Sequence, residues 1–491
     1  MRLFRCLLCL LILLMAAPVQ AQDELPRLET TDCWMELPEG VIEGDNIQCG
    51  YLVVPEDRSD PDSPTISLAV AVLRAPATAT EVKSDPVIYL AGGPGSNAMA
   101  TLPIWLESPY LQDRDLVLLD QRGTGYSLPS LNCSEMERQE EGAVQLCHDR
   151  LIDEGINLQA YNSVENAADV ADLRVALGYD EWNLFGISYG TRLALTIMRD
   201  HPEGVRSVVL DSVYPPEISS WEEFGQNIVD VVDYLFQACA NDLQCSRTYP
   251  DLEQEFYATA KELNANPASY TTTDSTGNSV ENVLTGDTFV RRIVQSLYTS
   301  QFIPYLPFVI NQVANGNYAV FDDLESGAIR SMVRHQLPDE DVSDSEGMGF
   351  SVDCQEELAF MDVATALDNI PGEPTALYDI SVTDIQDIFS ICQIWGVEAA
   401  DQIETQPVES DIPTLVVAGE FDPVTPPHWA KSAASHLPNS FYFLFPGGGH
   451  GVIELNDCSR GIMQSFLNDP TKEPDASCID DIGEVQWMLP E

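Results

Sequence analysis

The stretch Trp182-Asn183-Leu184-Phe185-Gly186-Ile187-Ser188-Tyr189-Gly190-Thr191-Arg192-Leu193-Ala194-Leu195 decides the fold. Its first part, Trp182 to Ile187, is a short apolar run that predicts a buried strand, and the residues from Tyr189 to about Arg199 predict a helix. Between them lies Gly186-Ile187-Ser188-Tyr189-Gly190, a G-x-S-x-G sequence. Alone the pattern is common, but a strand that runs straight through it into a helix is the setting of a nucleophile elbow. The turn is so sharp that bulky residues two before and two after the serine would collide, and glycine fills both places. It lifts the hydroxyl above the sheet, at the start of a helix whose dipole favours developing negative charge.

Outward from the elbow the same rhythm continues. Ser163 to Leu177 predicts a helix with Val164, Ala167, Ala168, Ala171 and Val175 on one side and Gly178 at its stop. Gln48 to Val54, Thr65 to Leu73, Pro86 to Leu90 and Asp115 to Leu119 are Val-, Ile- and Leu-rich runs separated by Gly and Pro, and they predict strands. Ser207 to Leu210 supplies another strand after the elbow helix. Strand and helix in alternation imply an α/β fold built on a parallel sheet with right-handed crossovers. The rhythm breaks near Pro215-Pro216. From there to about 410, helix-like stretches (Trp221 to Phe236, Leu252 to Leu263, Gly286 to Ser300) alternate with polar loops and show no obvious buried strand. The α/β pattern resumes with strand Thr414 to Ala418, a helix around His428 to His436, strand Phe441 to Phe445 and a helix near Cys458 to Leu467. The expected division is a core of residues 22–215 and 411–491 with a helical insertion over 216–410. The acidic run Pro338 to Gly349 is expected to be a solvated, disordered loop.

A nucleophilic serine needs a base, and the chain offers six histidines: His148, His201, His335, His428, His436 and His450. His450 alone follows the last strand, in Pro446-Gly447-Gly448-Gly449-His450-Gly451, at the edge where open parallel sheets carry their sites. The orienting acid should precede it in chain order. Asp422, in Gly419-Glu420-Phe421-Asp422-Pro423, is favoured over its rival Glu420, which lies nearer the strand end. Leu90-Ala91-Gly92-Gly93-Pro94-Gly95 follows a strand and lets the backbone approach a substrate oxygen, so the N–H groups of Gly93 and Tyr189 are the candidate oxyanion donors.

Composition bounds the rest. With 79 acidic and 23 basic residues the formal charge is −56, which repels nucleic acid and anionic membranes. Hydrophobic residues at 44% and charged ones at 21% are ordinary for a chain that buries a core, so this is no disordered acidic tail. Arg2 and Arg5, the apolar run Cys6 to Met15 and the triplet Val19-Gln20-Ala21 predict a secretory leader over 1–21 and an exported protein, periplasmic or extracellular. Past it remain Cys33, Cys49, Cys133, Cys147, Cys239, Cys245, Cys354, Cys392, Cys458 and Cys478, an even number that in an exported chain implies disulfides. Joining neighbours gives five local loops, although sequence alone leaves the connectivity open. A metal site is not expected, because no C-x-x-C pair follows the leader and histidine is scarce.

The Gly92-Gly93-Pro94-Gly95 loop, Asp120-Gln121-Arg122-Gly123-Thr124-Gly125-Tyr126-Ser127 and Gly186-Ile187-Ser188-Tyr189-Gly190-Thr191 together resemble the prolyl-iminopeptidase group of α/β-hydrolases. The tyrosine after the serine, the cysteine pattern and Gly419 to Pro426 look like its secreted tripeptidyl-aminopeptidase-like branch. The related iminopeptidases usually carry histidine where this chain has Ala91. The resemblance implies an α/β-hydrolase fold, a mostly parallel sheet flanked by helices, with a large helical cap inserted after the strand ending near Leu210. It implies cleavage of peptides with a free N-terminus and no cofactor. It also implies an acidic residue that grips the substrate ammonium: Glu356 in Cys354-Gln355-Glu356, with Glu357 as the alternate. Asp120 and Arg122 are read as structural, shaping the loop beside the elbow. An esterase uses the same three side chains, and a binding protein on a dead hydrolase scaffold is the remaining reading.

Overall fold

The computed structural model describes residues 25–76, 82–273, 278–322, 344–371 and 375–490, so the leader expected over 1–21 lies outside the described residues. Among these residues are eleven strands: β1 (Arg27–Thr30), β2 (Ile47–Pro55), β3 (Thr65–Leu73), β4 (Val87–Leu90), β5 (Leu116–Leu119), β6 (Trp182–Ser188), β7 (Val205–Val213), β8 (Ala268–Thr273), β9 (Ser279–Leu284), β10 (Thr414–Gly419) and β11 (Ser440–Phe445). Nine of them form one sheet in the order β1-β2-β3-β5-β4-β6-β7-β10-β11. From β5 to β11 every neighbouring pair is parallel, whereas β1, β2, β3 and β5 pair antiparallel.

The central strands are continuous apolar runs because both of their faces are covered. Side chains alternate between two cores. Ile88, Val117, Leu184, Leu210 and Val416 fill one. Tyr89, Leu118, Phe185, Val209 and Val417 fill the other. Helix Ser163–Leu177 has the expected bounds and stops at Gly178 in the left-handed conformation. Its buried face is not the expected one. Val164 and Val175 face solvent, while Asn166, Ala167, Asp169, Val170 and Leu173 are buried. The acid in that stripe receives cations: Asp169 pairs with Arg122 at 2.8 Å and with Arg58 at 2.7 Å.

Between β7 and β10 the chain builds a separate helical layer. Helices Ser220–Asn241, Leu252–Ala265, Gly286–Leu297, Leu306–Ala314 and Ala376–Trp395 surround a third core that includes Leu235, Phe256, Phe289, Ile310 and Leu377. Phe421, from the loop after β10, also reaches into this core. The layer carries one feature the sequence pattern does not reveal, the exposed antiparallel hairpin β8–β9. Of the acidic run, Pro338 to Ser343 lie outside the described residues, and its end is not loop: Ser345 caps a helix over Glu346–Asp353.

The ten cysteines past residue 21 are all paired: Cys33–Cys49, Cys133–Cys147, Cys239–Cys245, Cys354–Cys392 and Cys458–Cys478. Each joins neighbours in the chain. Among the described residues no helix is long and apolar enough to cross a membrane.

Candidate active site

Ser188 ends β6 and caps helix Tyr189–Asp200, with φ 55° and ψ −127°. A left-handed backbone at a residue other than glycine is strained and persists only where its surroundings impose it. The two flanking glycines are required by space. A Cβ on Gly186 would lie 2.3 Å from the Gly190 carbonyl oxygen, and one on Gly190 would lie 2.0 Å from the Leu90 carbonyl oxygen. The same closeness brings the loop after β4 to the serine, since a Cβ on Gly92 would stand 2.9 Å from Ser188 Cβ. Gly93 follows with φ +104°. Of the expected oxyanion residues, Gly93 thus follows the glycine that meets Ser188 on the neighbouring loop, and Tyr189 follows Ser188 at the helix start.

His450 sits on the Gly-rich turn after β11 and is buried, at 8% exposure. Its Nδ1 lies 2.9 Å and 3.0 Å from the two carboxylate oxygens of Asp422. Asp422 is fixed in turn by N–H groups of Val424 and Thr425, each 2.9 Å from Oδ1, and by the Thr425 hydroxyl, which donates to Oδ2 at 2.8 Å. Burial alone would raise this carboxyl. The charge and hydrogen bond of His450, with the Thr425 and Val424 amides, outweigh it and hold Asp422 below the usual carboxylate range. On the far side of the imidazole, Nε2 is buried with no hydrogen-bond partner among the described residues. The next residue in the chain, Gly451, is packed against Ile187, the residue before the nucleophile candidate: a Cβ there would be 2.8 Å from Ile187 Cδ1.

The helical layer also holds the histidine. The His450 N–H donates to the Tyr298 carbonyl oxygen at 2.8 Å, the Gly449 N–H donates to Ser300 Oγ at 2.8 Å, and the Tyr298 ring lies 4.4 Å from the imidazole, centroid to centroid. Nothing in the sequence pattern singles out Tyr298 or Ser300, which follow helix Gly286–Leu297 by only a few residues.

The rival acid Glu420 is occupied elsewhere. One of its oxygens accepts from the Tyr234 hydroxyl and the other from the Gly447 N–H. Asp120 and Arg122 brace the loop beside the elbow, as expected. Asp120 accepts from the Met99 and Tyr126 amides, and Arg122 pairs with Asp169 and donates to the carbonyl oxygens of Glu56 and Ala160. Of the other histidines, His428 meets Glu223 and His148 meets Asp149, both on exposed ground. His335 lies outside the described residues.

Glu356 and Glu357 are not free carboxylates, which corrects the expectation that they grip a substrate. Their side chains are 0% and 2% exposed, and both pair with Arg192 on the elbow helix, at 3.1 Å and 2.6 Å. Glu356 also accepts the Ser163 N–H at 2.7 Å and the Ser163 hydroxyl at 2.8 Å, and Glu357 accepts the Ser220 N–H at 2.9 Å. The guanidinium completes its set with the Glu404 carbonyl oxygen at 2.9 Å and the face of Tyr214. A π-helical turn over Cys354–Leu358 lets two consecutive glutamates meet one arginine. The resemblance locates an acidic element, but its partner is the protein's own cation.

The mostly parallel sheet that carries these residues agrees with comparison to known proteins. Residues 85–457 match the family described as alpha/beta hydrolase fold. The chain belongs to the α/β-hydrolase family. It is 24% identical over 487 residues to serine protease Hip1 of Mycobacterium tuberculosis (strain ATCC 25618 / H37Rv), spanning 91% of this chain and 90% of that protein. It is 29% identical over 199 residues to tripeptidyl aminopeptidase of Streptomyces coelicolor, covering 35% of this chain and 36% of the relative. Against proline iminopeptidase of Xylella fastidiosa (strain Temecula1 / ATCC 700964) the identity is 28% over 173 residues, 35% of this chain and 41% of the relative.

Proposed function

We propose that this α/β hydrolase is an exported serine aminopeptidase that releases short peptides or single residues from the free N-terminus of peptide substrates. The observation that carries the reading is the His450 ring, bound to Asp422 through Nδ1 while Nε2 is buried with no partner among the described residues, on a loop whose next residue, Gly451, packs against Ile187 of the elbow. The names of the relatives, serine protease, tripeptidyl aminopeptidase and proline iminopeptidase, support a peptide bond as the target. Paired cysteines support an oxidising destination. In this reading residues 216–410 act as a cap over the site.

The chemistry is acyl transfer. Ser188 Oγ attacks the scissile carbonyl carbon while His450 Nε2 takes the hydroxyl proton. Asp422 stabilises the imidazolium and keeps Nδ1 as the donor toward itself. The N–H groups of Gly93 and Tyr189 receive the oxyanion, and removal of one such donor typically costs about 2.7–4 kcal/mol of transition-state stabilisation. Collapse of the tetrahedral species passes the proton from Nε2 to the leaving amine. Water, deprotonated by the same nitrogen, then hydrolyses the ester and frees Ser188.

The test is labelling of the wild-type protein by a fluorophosphonate, together with turnover of free-amine peptides, N-blocked peptides and simple esters. Ser188→Ala is expected to abolish labelling and turnover with the fold intact. Undiminished turnover in that variant overturns the serine assignment, and equal cleavage of blocked and free peptides overturns the aminopeptidase assignment.

A further inference from the structure

At the end of β7 stand two buried polar residues that the mechanism above does not use. Asp211 is 1% exposed and Ser212 is 0% exposed. Ser212 has φ 57°, the left-handed region again at a residue other than glycine. Their partners are consecutive backbone amides just beyond His450. Ser212 Oγ accepts the Gly451 N–H at 2.8 Å. Asp211 accepts the Val452 N–H at 3.0 Å and 2.9 Å through its two oxygens and the Ile453 N–H at 2.8 Å. Two adjacent side chains thus take three adjacent amides from a loop far along the chain.

Position in the sheet gives the arrangement its force. In register, Asp211 is level with Ile187 on β6, which delivers Ser188, and with Val417 on β10, which leads to Asp422. The turn before His450 contains Gly447, Gly448 and Gly449, whose backbone has no intrinsic stiffness. We propose that Asp211 and Ser212 are positioning residues that tie the histidine loop to the strand carrying the frame of the site, and so set where His450 stands relative to Ser188. This rests on the serine-hydrolase reading above. Among the described residues Asp211 accepts from the Val452 and Ile453 amides and, at 3.4 Å, from the Ser212 hydroxyl rather than from the imidazole, so it is not a second orienting acid. The groups that act on it from neighbouring elements are His450, Asp422, Glu454, Tyr110 and Tyr89. Burial pushes its carboxyl up to about 6, against the pull of the Ile453 and Val452 amides and of His450.

Asp211→Asn keeps the size of the side chain but turns an N–H group toward amides that can only donate. Ser212→Ala removes one acceptor and leaves Asp211 in place. One sample of the full-length chain of each variant is titrated to completion with a fluorophosphonate, which counts competent serines, and a separate untreated sample is assayed with a free-amine peptidyl p-nitroanilide. Misplacement of a catalytic group on the order of 1 Å costs about 10²-fold, so kcat per titrated site is expected to fall by about that factor in Asp211→Asn and by less in Ser212→Ala. KM is expected to stay within about twofold of wild type, because the loss is of transition-state stabilisation rather than binding. A purely structural role would lower the titrated fraction and leave kcat per site unchanged. That result in Ser212→Ala and in whatever Asp211→Asn protein folds overturns the proposal, as does a change confined to KM. Should Asp211→Asn give no folded protein, Ser212→Ala decides alone. Absence of wild-type labelling at Ser188 would instead sink the serine-hydrolase reading itself.

Discussion

Glu356→Gln separates a structural carboxylate from a substrate-gripping one. Three donors converge on Glu356: the Ser163 N–H, the Ser163 hydroxyl and Arg192 Nε. Glutamine offers one acceptor oxygen, so its NH2 group would face either the Ser163 amide or the guanidinium, and neither can accept. Removing one partner of a fully buried ion pair costs about 3–5 kcal/mol. Arg192 retains Glu357 and the Glu404 carbonyl, which places the expected loss at the lower end, about 3 kcal/mol, or on the order of a hundredfold in the folded-to-unfolded ratio. Urea unfolding followed by tryptophan fluorescence, with disulfides intact, measures that loss. In parallel, KM for a free-amine peptidyl p-nitroanilide should remain within about twofold of wild type. Stability preserved within about 0.5 kcal/mol together with a KM raised about tenfold or more would refute the reasoning and restore Glu356 as the ammonium grip.

Stability should be greater in mild acid than in base. Burial pushes Asp120 up to about 7, Asp211 up to about 6 and Glu454 up to about 7. Between the ordinary carboxylate range and these values the folded chain binds more protons than the unfolded one, so stability falls as pH rises through the window. Asp422, held low, acts oppositely, but its contribution is lost only as pH falls through its depressed folded value, below that window. The thermal midpoint is therefore expected to be higher near pH 5.5 than near pH 8, on the order of the window these carboxyls define, and the reverse order by calorimetry would contradict the burial argument. A net charge of −56 should also draw cationic peptide N-termini toward the protein, so kcat/KM for short free-amine peptides is expected to fall with added salt. A flat salt profile leaves the charge with no part in substrate capture.

What sequence reveals here depends on how local the physics is. Strand β3 over Thr65–Leu73 and helix Ser163–Leu177 coincide with their expected bounds because an apolar run between breakers, and a glycine able to turn left-handed, are signals held within a few residues. The elbow is legible for the same reason. The buried face of helix Ser163–Leu177 is not, because Asp169 lies inward to meet Arg122 and Arg58 from distant segments. Hairpin β8–β9 leaves no clear trace in the sequence, since its strands are largely exposed and carry too little apolar alternation. Resemblance locates Glu356, yet its partner Arg192 lies 164 residues away. Asp211 stands at a strand end in plain view, but its partners are backbone amides, which no sequence displays.

The five disulfides also bear on how the chain reaches this fold. Each of the ten bonded cysteines is joined to its immediate neighbour in the series, across 16, 14, 6, 38 and 20 positions. A chain oxidised progressively from its N-terminal end therefore arrives at the native connectivity by joining each new thiol to the one waiting before it. Along that route no bond need be broken and reshuffled. Two of the bridges, Cys239–Cys245 and Cys354–Cys392, lie wholly between β7 and β10, and the other three lie wholly outside that stretch. The disulfides thus leave the seating of the helical layer against the sheet to packing, hydrogen bonds and the ion pairs of Arg192 with Glu356 and Glu357.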